Sequence, residues 1–267
     1  VPGGYPFFAE VCNGTQAETA TSLWGISIPS GGSANTKGAW TTIISSTPAD
    51  ASWIDITLMS GGNPSRCAVD IGIGASGSEQ ALITNLLFLP ANNYYLGTKG
   101  PFPIAVPIGS RLSARYVSEY ASGADSCSIQ VGLYAGSFGT ASVAGMDALS
   151  FDATNTAGTA IAAGNQVMGS YVQLTASTSR DYSGFYVIHD SKYRTANDQG
   201  GFDIAIGAIG SEQVIMTHVG WTSNVNDIPS GGLYPITVPA GTRMAARAYY
   251  IRAGDTSPSL SLYGLFR

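Results

Sequence analysis

The sequence predicts an all-β protein made of two tandem, duplicated antiparallel β-sandwich domains of jelly-roll-like type. Three observations predict it. A segment is written twice: Asp70–Gln80 reads DIGIGASGSEQ, and about 130 residues further on Asp203–Gln213 reads DIAIGAIGSEQ, the mark of a repeated unit. Apolar residues alternate with polar ones along many short runs, the two-residue period of strands, with no long amphipathic helical pattern. Gly, Pro, Asn and Asp close these runs at roughly the spacing of a sandwich or barrel. Eight runs per unit favour a jelly roll, with an immunoglobulin-like sandwich as the alternative.

Residues 1–14 form an aromatic, Pro/Gly-rich arm carrying Tyr5, Phe7 and Phe8, which needs its own body or a neighbouring subunit to dock on. Residues 15–135 make the first sandwich. Its strands are expected near Leu23–Ile28, Trp40–Ser45, Trp53–Met59, Ala68–Gly74, Ala81–Leu89, Phe102–Val106, Arg111–Tyr120 and Ser126–Tyr134. Ile54, Ile56 and Leu58 point inward with Asp55 and Thr57 outward. Leu112, Ala114 and Tyr116 oppose Arg111, Ser113 and Arg115 in the same way. Val69, Ile71 and Ile73 alternate with Asp70 and Gly72, which predicts a strand with one buried face. Gly74 and Gly77 then permit a reversal, as Gly207 and Gly210 do in the repeat.

Residues 136–148, rich in Gly, Ala and Ser, read as the connection, and residues 149–267 as the second sandwich. Gly38-Ala-Trp40 recurs as Gly169-Ser-Tyr171, and Ser45–Thr47 as Ala176–Thr178. The run from Phe102 to Arg111 recurs from Tyr234 to Arg243, and Gly132-Leu-Tyr134 recurs as Gly264-Leu-Phe266. The last strand of the second unit has mixed parity, since Leu265 breaks the pattern of Leu260 and Leu262.

Only 11% of the residues are charged and the net charge is -5, so the clustered Lys and Arg of a nucleic-acid-binding surface are missing. No run approaches the roughly 20 apolar residues of a membrane helix. The first residues lack the basic start and apolar centre of a secretion signal, as a mature secreted chain also would. Cys12, Cys67 and Cys127 do not make a disulfide framework. Cys67 and Cys127 correspond to Gly200 and Ser259 and read as buried free thiols, with a bridge between them the alternative.

The charges common to both units are Asp70, Glu79, Arg111 and Arg115, matched by Asp203, Glu212, Arg243 and Arg247. A carboxylate pair can serve glycoside hydrolysis. Strand-borne carboxylates matched to arginines fit structural ion pairs better, since the guanidinium fork matches a carboxylate. His189-Asp190-Ser191 has the letters of a hydrolytic triad, but neighbours along a strand point apart, and a solvent-facing strand end is expected for His189. Two histidines and three scattered cysteines give no zinc spacing. Asn197, Asp198 and Asp203, or Asn224 to Asp227, offer oxygens to calcium without forming a dedicated loop. No phosphate-cradling Gly loop is present. The expectation is therefore a protein without cofactor or metal, and not an enzyme.

Two loops carry a binding expectation. Asn92, Asn93, Tyr94 and Tyr95 join the fifth and sixth strands, and the matching segment of the second unit holds Asn224, Asn226 and Asp227. Tyr with Asn on a sandwich rim can stack on and hydrogen-bond sugars, or pack on a neighbouring protein. Trp221 adjoins the second loop and is carried with it, although its alignment with Phe88 reads as core.

The combination of KGAW/MGSY, the SST or AST segment, DIxIGxxGSEQ and the PxxVPxGxR turn resembles β-sandwich virion proteins of tailed bacteriophages, of the head-decoration, head-fibre and tail-associated kinds. The resemblance covers residues 20–134 and 150–266. It implies a structural role on the particle exterior as a symmetric oligomer, with other virion proteins and copies of itself as partners. Surface glycans are a further partner, nucleic acid and membrane are not, and assembly takes place in the host cytoplasm. A tail fibre, or a secreted, extracellular adhesin or carbohydrate-binding module, is the alternative. The resemblance carries over no catalytic residues.

Overall fold

A computed structural model describes residues 9–11, 25–60, 66–88, 95–120, 126–135, 142–190, 199–222, 232–251 and 257–267. The chain divides into two compact units, Val1–Met146 and Asp147–Arg267. All regular structure among the described residues is strand. The first unit holds β1 (Ala9–Val11), β2 (Ile26–Pro29), β3 (Thr41–Ile44), β4 (Trp53–Ser60), β5 (Cys67–Ile73), β6 (Gln80–Phe88), β7 (Tyr95–Phe102), β8 (Leu112–Ser118) and β9 (Ser126–Tyr134). β10 (Gly145–Ala148) follows at the boundary. The second unit holds β11 (Phe151–Asp152), β12 (Ala157–Ala160), β13 (Ala163–Asn165), β14 (Val172–Thr175), β15 (Gly184–Asp190), β16 (Gln199–Ile206), β17 (Gln213–Thr222), β18 (Gly232–Tyr234), β19 (Met244–Tyr250) and β20 (Ser259–Phe266).

Each unit is a jelly roll. In the first, the strands nest as in one long hairpin: β2 pairs β9, β3 pairs β8, β4 pairs β7 and β5 pairs β6, all antiparallel. Rolling that hairpin up adds the pairs β4–β9 and β5–β8, which gives two four-stranded sheets, β2–β9–β4–β7 and β3–β8–β5–β6. The second unit repeats the scheme as β12–β20–β15–β18 and β14–β19–β16–β17. Between the sheets of the first unit lie Ile54, Ile56, Leu58, Ile71, Leu112 and Tyr116, all fully buried. Phe185, Phe202, Ile204, Met244 and Leu262 fill the second. Burying each such side chain contributes about 1.5–3 kcal/mol.

The structure corrects several expectations. The sixth strand is β7 at Tyr95–Phe102; Ile104 and Val106 make only isolated bridges, to Val143 and Ala51. The stretch beyond Phe102 holds Pro103 and Pro107, which have no N–H to give a ladder. The true strand hides its period because Gly97 and Lys99 take inward positions. β5 is buried on both faces, Asp70 included, because side chains of Lys37, Trp40 and Arg115 cover its second face. β20 is also covered on both faces, which removes the parity conflict at Leu265. His189 is buried in β15 rather than facing solvent. The segment read as connection ends in β10, and Met146 pairs in parallel with Ile83 of β6. In the arm, Ala9–Val11 pairs with Gly132–Tyr134 of β9; residues 1–8 and 12–14 lie outside the described residues. Cys67 and Cys127 are both buried as thiols, and Cys67 Sγ donates to the Phe88 carbonyl at 3.6 Å.

Candidate functional site

The charges that the two units share gather on the β3–β8–β5–β6 sheet and on its equivalent, and the register explains how. Asp70 stands directly opposite Arg115 across β5–β8, as Asp203 stands opposite Arg247 across β16–β19. On the other side of β5 the ladder slips, so that Val69 pairs with Leu86 but Ile71 with Ile83. The extra residues of β6 form a bulge in which Asn85 adopts a φ of 49°. Asp70 Oδ1 accepts the Asn85 N–H at 2.6 Å, and its Oδ2 accepts from Arg115 Nε and Lys37 Nζ, each at 2.6 Å. The second unit repeats this at His218, with φ 51°, whose N–H donates to Asp203 Oδ1 at 3.1 Å. Arg247 gives Asp203 two bonds, at 2.9 and 3.1 Å. An aromatic ring covers each arginine, Trp40 at 4.5 Å and Tyr171 at 4.8 Å, which is the physical content of the repeated GAW/GSY letters.

The Asp70 side chain has no exposure to solvent and already holds three donors. A carboxylate in that state is a counter-ion for the bulge and its cations, since a catalytic carboxylate must reach the group whose proton it moves. The Glu79 and Glu212 carboxylates act on the adjoining turn. Glu79 accepts from Arg111 Nη1 at 2.9 Å and from the Gly77 N–H at 2.9 Å, while Arg111 also donates to the Gly74 carbonyl at 3.0 Å. In the second unit Glu212 accepts from Arg243 Nη1 at 3.2 Å and from the Gly210 N–H at 2.9 Å, while Arg243 also donates to the Gly207 carbonyl at 2.9 Å. Burial raises the Glu79 carboxyl, but the Arg111 bond and the nearby backbone N–H groups outweigh it, so its pKa falls below the ordinary value. Gly74 and Gly207, at φ of 120° and 111°, occupy backbone that a side chain would strain.

A third duplicated device explains the SST/AST and VPxG letters together. Thr47 Oγ1 donates to the Pro107 carbonyl at 2.6 Å and accepts the Ser110 N–H at 2.9 Å; Thr178 does the same with Pro239 and Thr242. Asp50 accepts the Ile108 N–H and Asp181 the Ala240 N–H, each at 2.7 Å. Lys37, Thr47 and Thr178 stand out in the sequence only as letters of repeated motifs, and Asn85, His218, Asp50 and Asp181 carry no site expectation there. The signal was available for the threonines and for Asp50 and Asp181, because T-x-x-D occurs at matching places in the two units.

Of the loop residues expected to bind, Asn92, Asn93, Tyr94, Asn224, Asn226 and Asp227 lie outside the described residues; Tyr95 opens β7. Trp221 is buried and packs against Phe202 with ring centres 6.1 Å apart, so it is a core residue and not a rim one. Of the calcium donors, Asp203 is engaged by Arg247, and Asn197 and Asp198 lie outside the described residues. Among the described residues no group of three His, Cys, Asp or Glu side chains converges as for a metal.

No family model matches the chain, and no curated protein matches it in sequence. Solved structures do. A glycosylasparaginase, PNGase F from Flavobacterium meningosepticum, matches over 90% of this chain and 94% of its own at 10% identity and a TM-score of 0.37. The STIV MCP matches over 90% and 96% at 10% identity and a TM-score of 0.39. The tandem CBM22-1-CBM22-2 of Paenibacillus barcinonensis Xyn10C matches over 97% and 90% at 13% identity and a TM-score of 0.28. At such identities the likeness concerns the fold alone. It nevertheless corrects one expectation: chains of this build include an enzyme, so missing catalytic letters do not make this chain a non-enzyme.

Proposed function

We propose that the chain is a structural component of a virus particle. In this reading its two jelly rolls assemble with copies of themselves as a symmetric oligomer on the exterior of a tailed-phage head, as decoration or head fibre. One observation carries the reading. Each charge common to the units is engaged inside its own unit, by corresponding partners both times: Asp70 and Asp203 with an arginine on the bulge, Glu79 and Glu212 with an arginine on the turn. A duplication preserved in this way keeps two stiff sandwiches, and stiff sandwiches with divergent edges and loops are what a surface lattice needs. The resemblance of the repeated motifs to phage virion sandwiches supports the same role.

The test is to raise antibodies against the purified chain and image particles from cells that encode it. Gold label distributed over intact heads is the expected result. Particles that carry no label, or that carry it only on tails, overturn the head assignment.

A further inference from the structure

We propose that the outer edge of β17 is an interaction surface that takes the β1 segment, Ala9–Val11, of a second copy of this chain, in parallel. The internal duplication provides the argument. β6 and β17 are equivalent strands, the fifth of each jelly roll, and both carry the bulge held by an aspartate. β6 is covered on its outer side, where Met146 of β10 pairs in parallel with Ile83. β17, whose Met216 matches Ile83, pairs among the described residues only with β16.

The side chains register the difference. Leu82 and Leu86 of β6 are 7% and 0% exposed, whereas their counterparts Ile215 and Val219 are only partly buried. Gly220 is exposed where Leu87 is fully buried. A ten-residue edge strand whose outer backbone groups take no strand among the described residues, with half-covered apolar side chains, is a template for strand addition.

The nature of the occupant follows from what covers β6. β10 runs directly into Leu149, whose N–H donates to Leu262 on the flank of β20 opposite β15. β1 lies on the corresponding flank of β9, opposite β4, through Ala9–Tyr134 and Val11–Gly132. β1 is therefore the counterpart of β10, and among the described residues its outer side carries no strand. A contact from β17 of one copy to β1 of the next is head-to-tail, so it closes into a ring or continues as a filament. The inference rests on the assembly reading above only in expecting copies of the chain to meet.

The experiment uses the full chain with Cys12→Ser. Adding Glu10→Cys and Thr217→Cys together, followed by mild oxidation, is expected to give covalent multimers on a denaturing gel, with neither single variant giving more than a dimer. Ile215→Lys with Val219→Lys, in the chain without added cysteines, is expected to weaken self-association at least about tenfold by sedimentation, with the circular dichroism unchanged. Multimers absent from the double-cysteine variant, or an oligomer of unchanged size in the double-lysine variant, overturn the proposal. A chain that labels phage heads but remains assembled with both lysines in place removes this edge and leaves the virion reading standing. An edge-dependent oligomer that labels no particle does the reverse.

Discussion

The two units hold the same backbone irregularity with unequal means. In the first, the bulge aspartate is flanked by two cations, Lys37 and Arg115, and the bulge residue is a half-buried asparagine. In the second, Met168 takes the place of Lys37, Arg247 alone supplies two cationic hydrogen bonds to the carboxylate, and the bulge residue is His218, 68% exposed with its ring edge on Tyr249. Conserved between the units, then, is the task of satisfying a strained N–H and fixing an arginine; the number of charges assigned to it varies. The same contrast appears in the core, where Cys67 faces Phe88 across β5–β6 and Gly200 faces Trp221 across β16–β17. A larger ring on one strand is matched by a smaller residue on the other.

Removing the aspartates separates the units most strongly. Asp70→Ala leaves two cations, Lys37 and Arg115, 30% and 32% exposed, and a bulge N–H without their acceptor, with an expected loss of about 3 kcal/mol. Asp203→Ala strands one guanidinium that is 32% exposed, with an expected loss of about 2 kcal/mol. Calorimetry on the two variants should lower a different thermal transition in each, the first more than the second. Equal shifts would show that Lys37 adds nothing to the node.

Lys99 has no lysine counterpart, since Gly231 stands at the matching position. It is 1% exposed, and burial holds its amine down to about 8. The folded chain therefore binds fewer protons than the unfolded chain between about pH 8 and the ordinary lysine value, and first-unit stability rises with pH across that window. Lys99→Met should flatten this rise and stabilise the first unit at pH 7 by about 1–3 kcal/mol, as a shift of that size implies after discounting the contacts lysine makes. Denaturant midpoints at pH 7 and pH 10 give both numbers, and an unchanged pH slope in the variant would remove burial of Lys99 as the cause.

Lys99 also shows where the sequence stopped being legible. The repeat, the jelly-roll class and the alternation of β4 could be read because each is a local pattern of many residues. The strand at Tyr95–Phe102 could not, because its inward positions are a glycine and a lysine, types that signal turns and surfaces. Alternation makes Asp70 an outward residue, because it reports one face of a strand and says nothing of what covers the other. That Asp70 meets Arg115 was readable as chemistry but not as register, since only the pairing of β5 with β8 puts them opposite. The duty of Asn85 depends on a bulge, and a bulge leaves no trace in a single strand's letters.

Exchanging the core pair tests whether volume is shared across the strands. A Cβ on Gly200 would overlap the Tyr249 carbonyl oxygen and come within 2.6 Å of the Trp221 ring, so Gly200→Cys alone should cost about 3 kcal/mol or more through overpacking, of which only the part against the ring is relieved by a smaller side chain at 221. Combining it with Trp221→Phe recreates the pair found in the first unit and should cost less than the sum of the two single changes. A double-mutant cycle with no coupling would mean that the rings and their partners vary independently.

The smallest expected effect comes from the last strand. Tyr134 donates its hydroxyl to Asp55, which also accepts the Gly132 N–H at 3.0 Å. Burial, and then the Asp55 hydrogen bond and charge, push the phenol up to about 12. Its counterpart Phe266 has no hydroxyl and lies instead under the Arg180 guanidinium at 4.0 Å, where the first unit has Ala49 in place of Arg180. Tyr134→Phe makes the first unit resemble the second on one side only, and should cost about 1 kcal/mol at neutral pH, the worth of one partly exposed hydrogen bond. Because the folded pKa lies above the ordinary 10, the contribution is fully present below pH 10 and is lost as pH rises through about 12. The wild-type and Phe chains should therefore differ in stability at pH 8 and converge by about pH 12. Adding Ala49→Arg to the variant asks whether the second unit's solution is transferable: recovery of the lost stability would mean that the two last strands are alternative answers to one packing problem, and no recovery would tie the arginine to its Asp147 partner, 3.1 Å away, which the first unit does not supply at that position.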